Sequence, residues 1–258
     1  MKPRVMVLRT DGTNCDEETR FAFLQAGGDA RLVHINQLRD GSEKLVAYQV
    51  LVIPGGFSYG DDVHSGKILA VELVSCLGDQ LLGFLAAGKP VLGICNGFQV
   101  LVRTGILPGG SPGRIDVALM ANDSGHFECR WIRLRVEKSP CIFTRGLEGQ
   151  VLDMMVAHGE GKLYTGADTL AELEERGQAV FRYVDADGEP TGRYPDNPNG
   201  SQNAIAGLCD PRGLVMGLMP HPERIVNVAQ HPNWRRGAFR EPAALQMFRN
   251  AVAYAREM

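Results

Sequence analysis

The sequence predicts an α/β domain: a largely parallel central sheet flanked by helices, with additional antiparallel strands in the second half. Three observations predict it. The first half repeats a strand-then-helix rhythm. Its runs "QVLVI" and "VLGI" are apolar almost throughout, which implies burial on both faces, as in a parallel sheet. The second half holds "RWIRLRVE", where Ile132, Leu134 and Val136 share one face and Trp131, Arg133, Arg135 and Glu137 the other, the pattern of a half-exposed strand.

"RVMVLR" (Arg4–Arg9) is the first strand, and "TDGTNCD" after it is a loop of turn formers. "EETRFAFLQAGG" reads as a helix, with acids in its first turn and Gly27 as its stop. "ARLVHI" is the second strand and "QVLVIPGG" (Gln49–Gly56) the third. A helix-rich region runs from about Gly66 to Ala87, where Leu77, Leu81 and Leu85 recur every fourth residue. "KPVLGI" is the fourth strand and "FQVLVRTG" the helix after it. "VLDMMVAHGEGKLY" and "QAVFRYVD" predict further strands, with a helix at "ADTLAELEERG" between them. Asp185–Ser201 is rich in Pro, Gly, Asn and Asp and reads as a loop. "AIAGLCDPRGLVMGLMPHPER" predicts a hairpin over Asp-Pro-Arg-Gly, its second strand ending at Pro220. The tail is an amphipathic helix with Pro242 in its first turn and Leu245, Phe248, Val252 and Ala255 as its stripe. No stretch reads as a linker, so residues 1–258 are expected to form one domain.

The 258 residues are 44% hydrophobic and 22% charged, the balance of an ordinary globule. A net charge of −3 gives no general pull toward nucleic acid or anionic lipid. No uninterrupted apolar run reaches the roughly 18 residues a bilayer needs, and the opening apolar stretch is too short for a signal peptide. The six cysteines are expected to be reduced thiols of a cytoplasmic protein.

One cysteine stands apart. In "PVLGICNGFQVL", Cys95 sits between Gly93 and Gly97 where a strand meets a helix, the layout of a nucleophile elbow. Packing a small hydrophobe does not require those glycines; a tight, strained turn does. The helix amino end beyond it favours a thiolate. The N–H of Asn96 is placed to donate to an oxyanion, and Gly55 or Gly56, after the third strand, offers a second donor. A nucleophilic thiol needs a base. His221 lies just past a strand end, on the edge where active sites of open α/β sheets form. Glu223, across Pro222, is placed to hold the far ring nitrogen. A zinc site is the competing reading of Cys and His, but no cysteine pair has knuckle spacing. The glycine loops match neither a Walker loop nor a dinucleotide fingerprint. "WRRGAFR" (Trp234–Arg240) clusters arginines with aromatics; in an acidic chain it reads as a solvated or docking face rather than a nucleic-acid site. His158, in "AHGEG", is given no catalytic role.

Together, "PGGFSYGD", "GICNGFQVL" and "MPHPER", in that order, resemble the class I (triad) glutamine amidotransferases, whose fold is flavodoxin-like. "GTNCD", "GFSYGD", "NDSGHFECRW" and "AHGEGKLY" are similar to the branch that serves phosphoribosylformylglycinamidine synthase in purine synthesis. The resemblance covers nearly the whole chain. It implies that Cys95 attacks the carboxamide of L-glutamine, His221 relays the proton and Glu223 orients His221. Gly55, Gly56 and Asn96 would form the oxyanion hole, and Gln99 would contact the amino-acid end of the substrate. A γ-glutamyl thioester would form and water would release glutamate. Ammonia would pass to a separate ATP-dependent synthetase subunit, which holds the ATP and magnesium; a third small subunit is a further expected partner. The resemblance implies no metal, cofactor, nucleic acid or membrane for this chain. The start at Met before a strand suggests a separate subunit. Two alternatives stand beside this: an amidotransferase glutaminase with another ammonia acceptor, and a non-catalytic scaffold or a cysteine hydrolase. In α/β-hydrolases the acid precedes the histidine, whereas here Glu223 follows His221.

Overall fold

The computed structural model describes residues 1–236 and 242–258. Its elements, in chain order, are β1 (Arg4–Arg9), α1 (Asp16–Gln25), β2 (Asp29–His34), α2 (Ile35–Arg39), β3 (Val50–Ile53), α3 (Lys67–Ala86), β4 (Val91–Ile94), α4 (Asn96–Arg103), α5 (Ile106–Gly109), β5 (Val117–Ala121), β6 (Glu128–Val136), β7 (Val151–His158), β8 (Glu160–Thr165), α6 (Ala167–Glu175), β9 (Ala179–Tyr183), β10 (Ile205–Cys209), β11 (Val215–Leu218) and α7 (Ala243–Arg256).

Nine strands form one sheet in the order β2-β1-β3-β4-β11-β10-β9-β6-β7. β2, β1, β3, β4 and β11 run parallel to their neighbours. From β11 through β10, β9 and β6 to β7 the pairing is antiparallel. The expected α/β class is therefore the observed one, and the antiparallel strands extend the same sheet. β3, β4 and β11 are buried at every residue, as their apolar sequences require. β6 buries Ile132, Leu134 and Val136 and leaves Trp131, Arg133 and Arg135 partly exposed.

α1 packs beside α7, Phe23 meeting Phe248 edge to face with ring centroids 5.0 Å apart. α2, α3 and α4 form a second group. α3 alone among the described helices has the length and apolarity to cross a membrane, because Glu72 and Asp79 interrupt its apolar residues only briefly. Its Leu69, Leu73, Leu77, Leu81 and Phe84 are buried in the core.

Several boundaries differ from the sequence reading. α4 begins at Asn96, directly after Cys95, two residues before the apolar run. β11 ends at Leu218, because Met219 and Pro220 already turn toward His221. "VLDMMVAHGEGKLY" divides at Gly159 into β7, in the main sheet, and β8, which pairs with β5 in a two-stranded sheet. β5 has only two buried positions out of five, so its sequence carries little strand signal. Asp185–Ser201 is a loop, yet it returns to the core. Asn199 is fully buried and donates to Gly161 O at 2.9 Å and to the Tyr183 hydroxyl at 3.1 Å.

Candidate active site

Parallel strands present their carboxyl ends on one edge, and there β1, β3, β4 and β11 lie side by side. The loops leaving them carry Cys15, Gly55, Cys95 and His221 in turn. Topology alone therefore gathers residues more than 200 positions apart in the chain, as the switch-point rule for open α/β sheets requires.

Cys95 is the residue between β4 and α4, with φ 50° and ψ −106°, a strained backbone for a side-chain-bearing residue. Its N–H donates to Leu218 O at 2.8 Å, which ties the elbow to β11. The flanking glycines are steric necessities. A Cβ on Gly97 would lie 1.8 Å from Ile53 O, and one on Gly93 would lie 2.6 Å from Gly97 O. Cys95 is 6% exposed, and its sulfur donates to Ala157 O at 3.7 Å.

His221 and Glu223 are 1% and 0% exposed. Nδ1 of His221 lies 2.6 Å from Oε1 of Glu223, and the His221 N–H donates to Met155 O at 2.9 Å. The free edge of β7 thus reaches both His221, through Met155, and Cys95, through Ala157. Burial pushes the imidazole pKa down, but the charges of Glu223 and Cys95, with the two thiols beside the ring, more than reverse it. The ring is held well above the ordinary imidazole range. Its Nε2 has no hydrogen-bond partner, and neither has Oε2 of Glu223. A Cβ on Gly55 would stand 2.8 Å from Cε1 of His221 and 3.4 Å from Cβ of Cys95, so glycine, imidazole and the Cys95 side chain lie together.

The remaining residues singled out in the sequence divide into two groups. Gly55 is at the centre. Gly56, with φ +127°, bridges to Thr13 and turns its missing side chain toward Asn14. Asn96 and Gln99 lie on α4, and their side chains are hydrogen-bonded to neighbouring segments. Asn96 accepts from Ser58 Oγ at 2.6 Å and donates to Asp61 Oδ1 at 2.9 Å; Gln99 donates to Glu160 O at 2.6 Å. These bonds stitch the elbow to the loop after β3 and to the start of β8. Gln99 and Glu160 also line a cavity of about 390 Å³, together with His64, Arg103, Ile115 and Met120.

Cys15 is the residue that sequence reading missed. It is 1% exposed, and Nη2 of Arg224 donates to its sulfur at 3.1 Å. A thiol in the loop after a parallel strand, on the same edge as Cys95, was the available signal. Cys15, His221 and Glu223 offer donor atoms within 4.8 Å of one another, the single such set of metal-type donors among the described residues. The carboxylate of that set is already engaged on Nδ1 of His221. His158, whose role the sequence leaves open, is buried at the end of β7. Burial first, and the charge of His221 second, hold its pKa at about 3, so the ring is neutral, with Nδ1 3.0 Å from Asn122 Oδ1. Of the arginine–aromatic cluster, Arg235 lies over the Trp234 ring at 4.9 Å, while Gly237–Arg240 fall outside the described residues.

Residues 2–255 match the model of a CobB/CobQ-like glutamine amidotransferase domain. The phosphoribosylformylglycinamidine synthase subunit PurQ of Dehalococcoides mccartyi is 44% identical over 259 residues, covering 100% of this chain and 99% of that one. Its namesake from Treponema denticola is 42% identical, covering 98% and 99%. Among solved structures, one described as PurLQS from Thermotoga maritima is 32% identical with a TM-score of 0.76, covering 98% of this chain and 99% of that one. A glutamine amidotransferase from the same organism, 15% identical with a TM-score of 0.56, covers 100% of each chain and shares the fold. The chain therefore belongs to the CobB/CobQ-like glutamine amidotransferases, in the branch of the PurQ subunits of phosphoribosylformylglycinamidine synthase.

Proposed function

We propose that this chain is the glutaminase subunit of phosphoribosylformylglycinamidine synthase, and that Cys95, His221 and Glu223 carry its chemistry. One observation supports the assignment of roles above the others. The strained elbow and the His221–Glu223 pair, 2.6 Å apart, open onto the same glycine. The thiolate of Cys95 attacks the side-chain carbonyl carbon of L-glutamine. The oxyanion that forms faces the N–H groups of Gly55, Gly56 and Asn96. Collapse breaks the C–N bond, and ammonia leaves with a proton from the His221 imidazolium. Water, deprotonated by His221, then cleaves the γ-glutamyl thioester and glutamate departs. Gln99 contacts the amino-acid end of the substrate.

Ammonia goes to a partner synthetase, which supplies ATP and magnesium, within an assembly that includes a third small subunit and works in the cytoplasm. The chain itself acts without metal, cofactor, nucleic acid or membrane. The reading is tested by labelling the assembled enzyme with diazo-oxo-norleucine and mapping the adduct. Modification at Cys95, with glutaminase activity and labelling both lost in Cys95→Ala, supports it. Labelling confined to another cysteine removes the mechanism. Purification with a different ATP-dependent synthetase would overturn the choice of acceptor while leaving the chemistry intact.

A further inference from the structure

The loop between β1 and α1 places a second buried thiol beside the base. A Cβ built on Gly55 would stand 3.3 Å from the sulfur of Cys15, 2.8 Å from Cε1 of His221 and 3.4 Å from Cβ of Cys95. The sulfur therefore flanks the same glycine as the imidazole and the nucleophile. It accepts from Nη2 of Arg224 at 3.1 Å and donates to Asn14 Oδ1 at 3.4 Å. Burial pushes the Cys15 thiol up, against the pull of His221 and Arg224.

Three loops cross at this residue. The Cys15 N–H donates to Gly55 O at 3.4 Å, and its neighbour Thr13 bridges to Gly56. Arg224, adjacent to Glu223, reaches back to the sulfur and also to Glu18 at 3.5 Å. The base needs such support. Glu223 fixes the Nδ1 side of the ring, whereas Nε2, the nitrogen left to handle the proton, has no hydrogen bond of its own. Packing must set the direction of that side of the ring, and Cys15 is part of the packing.

We propose that Cys15 is a positioning residue for the acid–base step. Its sulfur seats His221 against the glycine loop and, through Arg224, holds the turn bearing His221 and Glu223 in register with Cys95. The proposal rests on the glutaminase reading above and adds to it a role for the loop after β1.

The test is steady-state glutaminase kinetics of the assembled enzyme with Cys15→Ala and Cys15→Ser, beside the rate of Cys95 labelling by diazo-oxo-norleucine. Misplacement of a general acid–base group by a fraction of an ångström predicts a kcat about tenfold lower in Cys15→Ala, with KM for glutamine changed less than about twofold. Labelling slows in parallel. Cys15→Ser, whose hydroxyl still accepts from Arg224, loses only about two- to fivefold in kcat. A folded Cys15→Ala enzyme with wild-type kcat overturns the proposal, as does a rise in KM at constant kcat. Should Cys15→Ala fail to fold, Cys15→Ser decides: a lower kcat at constant KM supports the role, and a wild-type kcat overturns it. A wild-type enzyme that neither releases glutamate nor labels at Cys95 would instead refute the glutaminase reading.

Discussion

At the scale of single residues, the site holds a carboxylate buried beside an imidazole. Glu223 is fully buried, and one of its oxygens meets Nδ1 of His221 at 2.6 Å while the other has no partner. Such a carboxylate is costly to bury unless it stabilises a cation, and the imidazolium is that cation. Glu223→Gln keeps an oxygen for Nδ1–H but removes the charge. Burial then pushes the imidazole down with less to oppose it, so the ring loses its proton at lower pH than in the wild type. The expected result is a kcat lower by about 10²- to 10³-fold and an alkaline limb of the pH–rate profile displaced toward acid. An unchanged alkaline limb would show that Glu223 does not set the protonation of His221. Cys95 and His221 were legible because their chemistry needs a local pattern: glycines around a thiol, and a histidine just past a strand end. Cys15 offered only its place in the loop after a parallel strand, because its partner Arg224 lies 209 residues away and no local pattern announces that bond.

Among elements, the parallel half of the sheet was legible because each strand is a short apolar run followed by a helix with its own periodicity. The junction of β7 and β8 was not. Both strands lie in one continuous stretch of moderately apolar sequence, and only tertiary pairing sends them to different sheets. His158 ends β7, and its ring presses on Gly161, where a Cβ would lie 2.5 Å from Cε1. The ring's pKa is held at about 3 in the fold, chiefly by burial, against about 6.5 in the unfolded chain. The sign follows from proton counting. Between these values the unfolded chain binds the proton and the native one does not, so stability falls as pH falls. The contribution is complete above pH ~6.5 and is lost at about 1.4 kcal/mol per pH unit toward pH 3. His158→Gln removes the titration while leaving a polar group for Asn122. Melting temperatures measured from pH 7 to pH 5 should therefore fall less steeply for His158→Gln than for the wild type. Parallel curves would mean that this ring does not govern the acid side of stability.

For the whole molecule, chain order and spatial order disagree in a way that bears on folding. β11, the last strand in sequence, lies between β4 and β10, so the parallel and antiparallel halves of the sheet meet only through it. Each half borrows from the other. Val215–Leu218 pairs with Val91–Ile94 on one side, and Met216–Leu218 with Gly207–Cys209 on the other. α7 then returns to α1, so the two ends of the chain close on each other. The buried apolar residues of both halves form a single connected core. Cys95, leaving β4, and His221, beyond β11, meet at one glycine, so the site itself is a probe of that junction. Separate melting of the antiparallel half would expose the core face of β11 and pull His221 away from Cys95. Loss of glutaminase activity, loss of far-ultraviolet circular dichroism and, in a Trp234→Phe variant, the change in fluorescence of Trp131 on β6 should therefore share one midpoint in urea, as one cooperative unit requires. A tryptophan transition that precedes the loss of circular dichroism would show that the strands beyond β11 unfold on their own. The sheet would then act as two coupled modules, although its core is continuous.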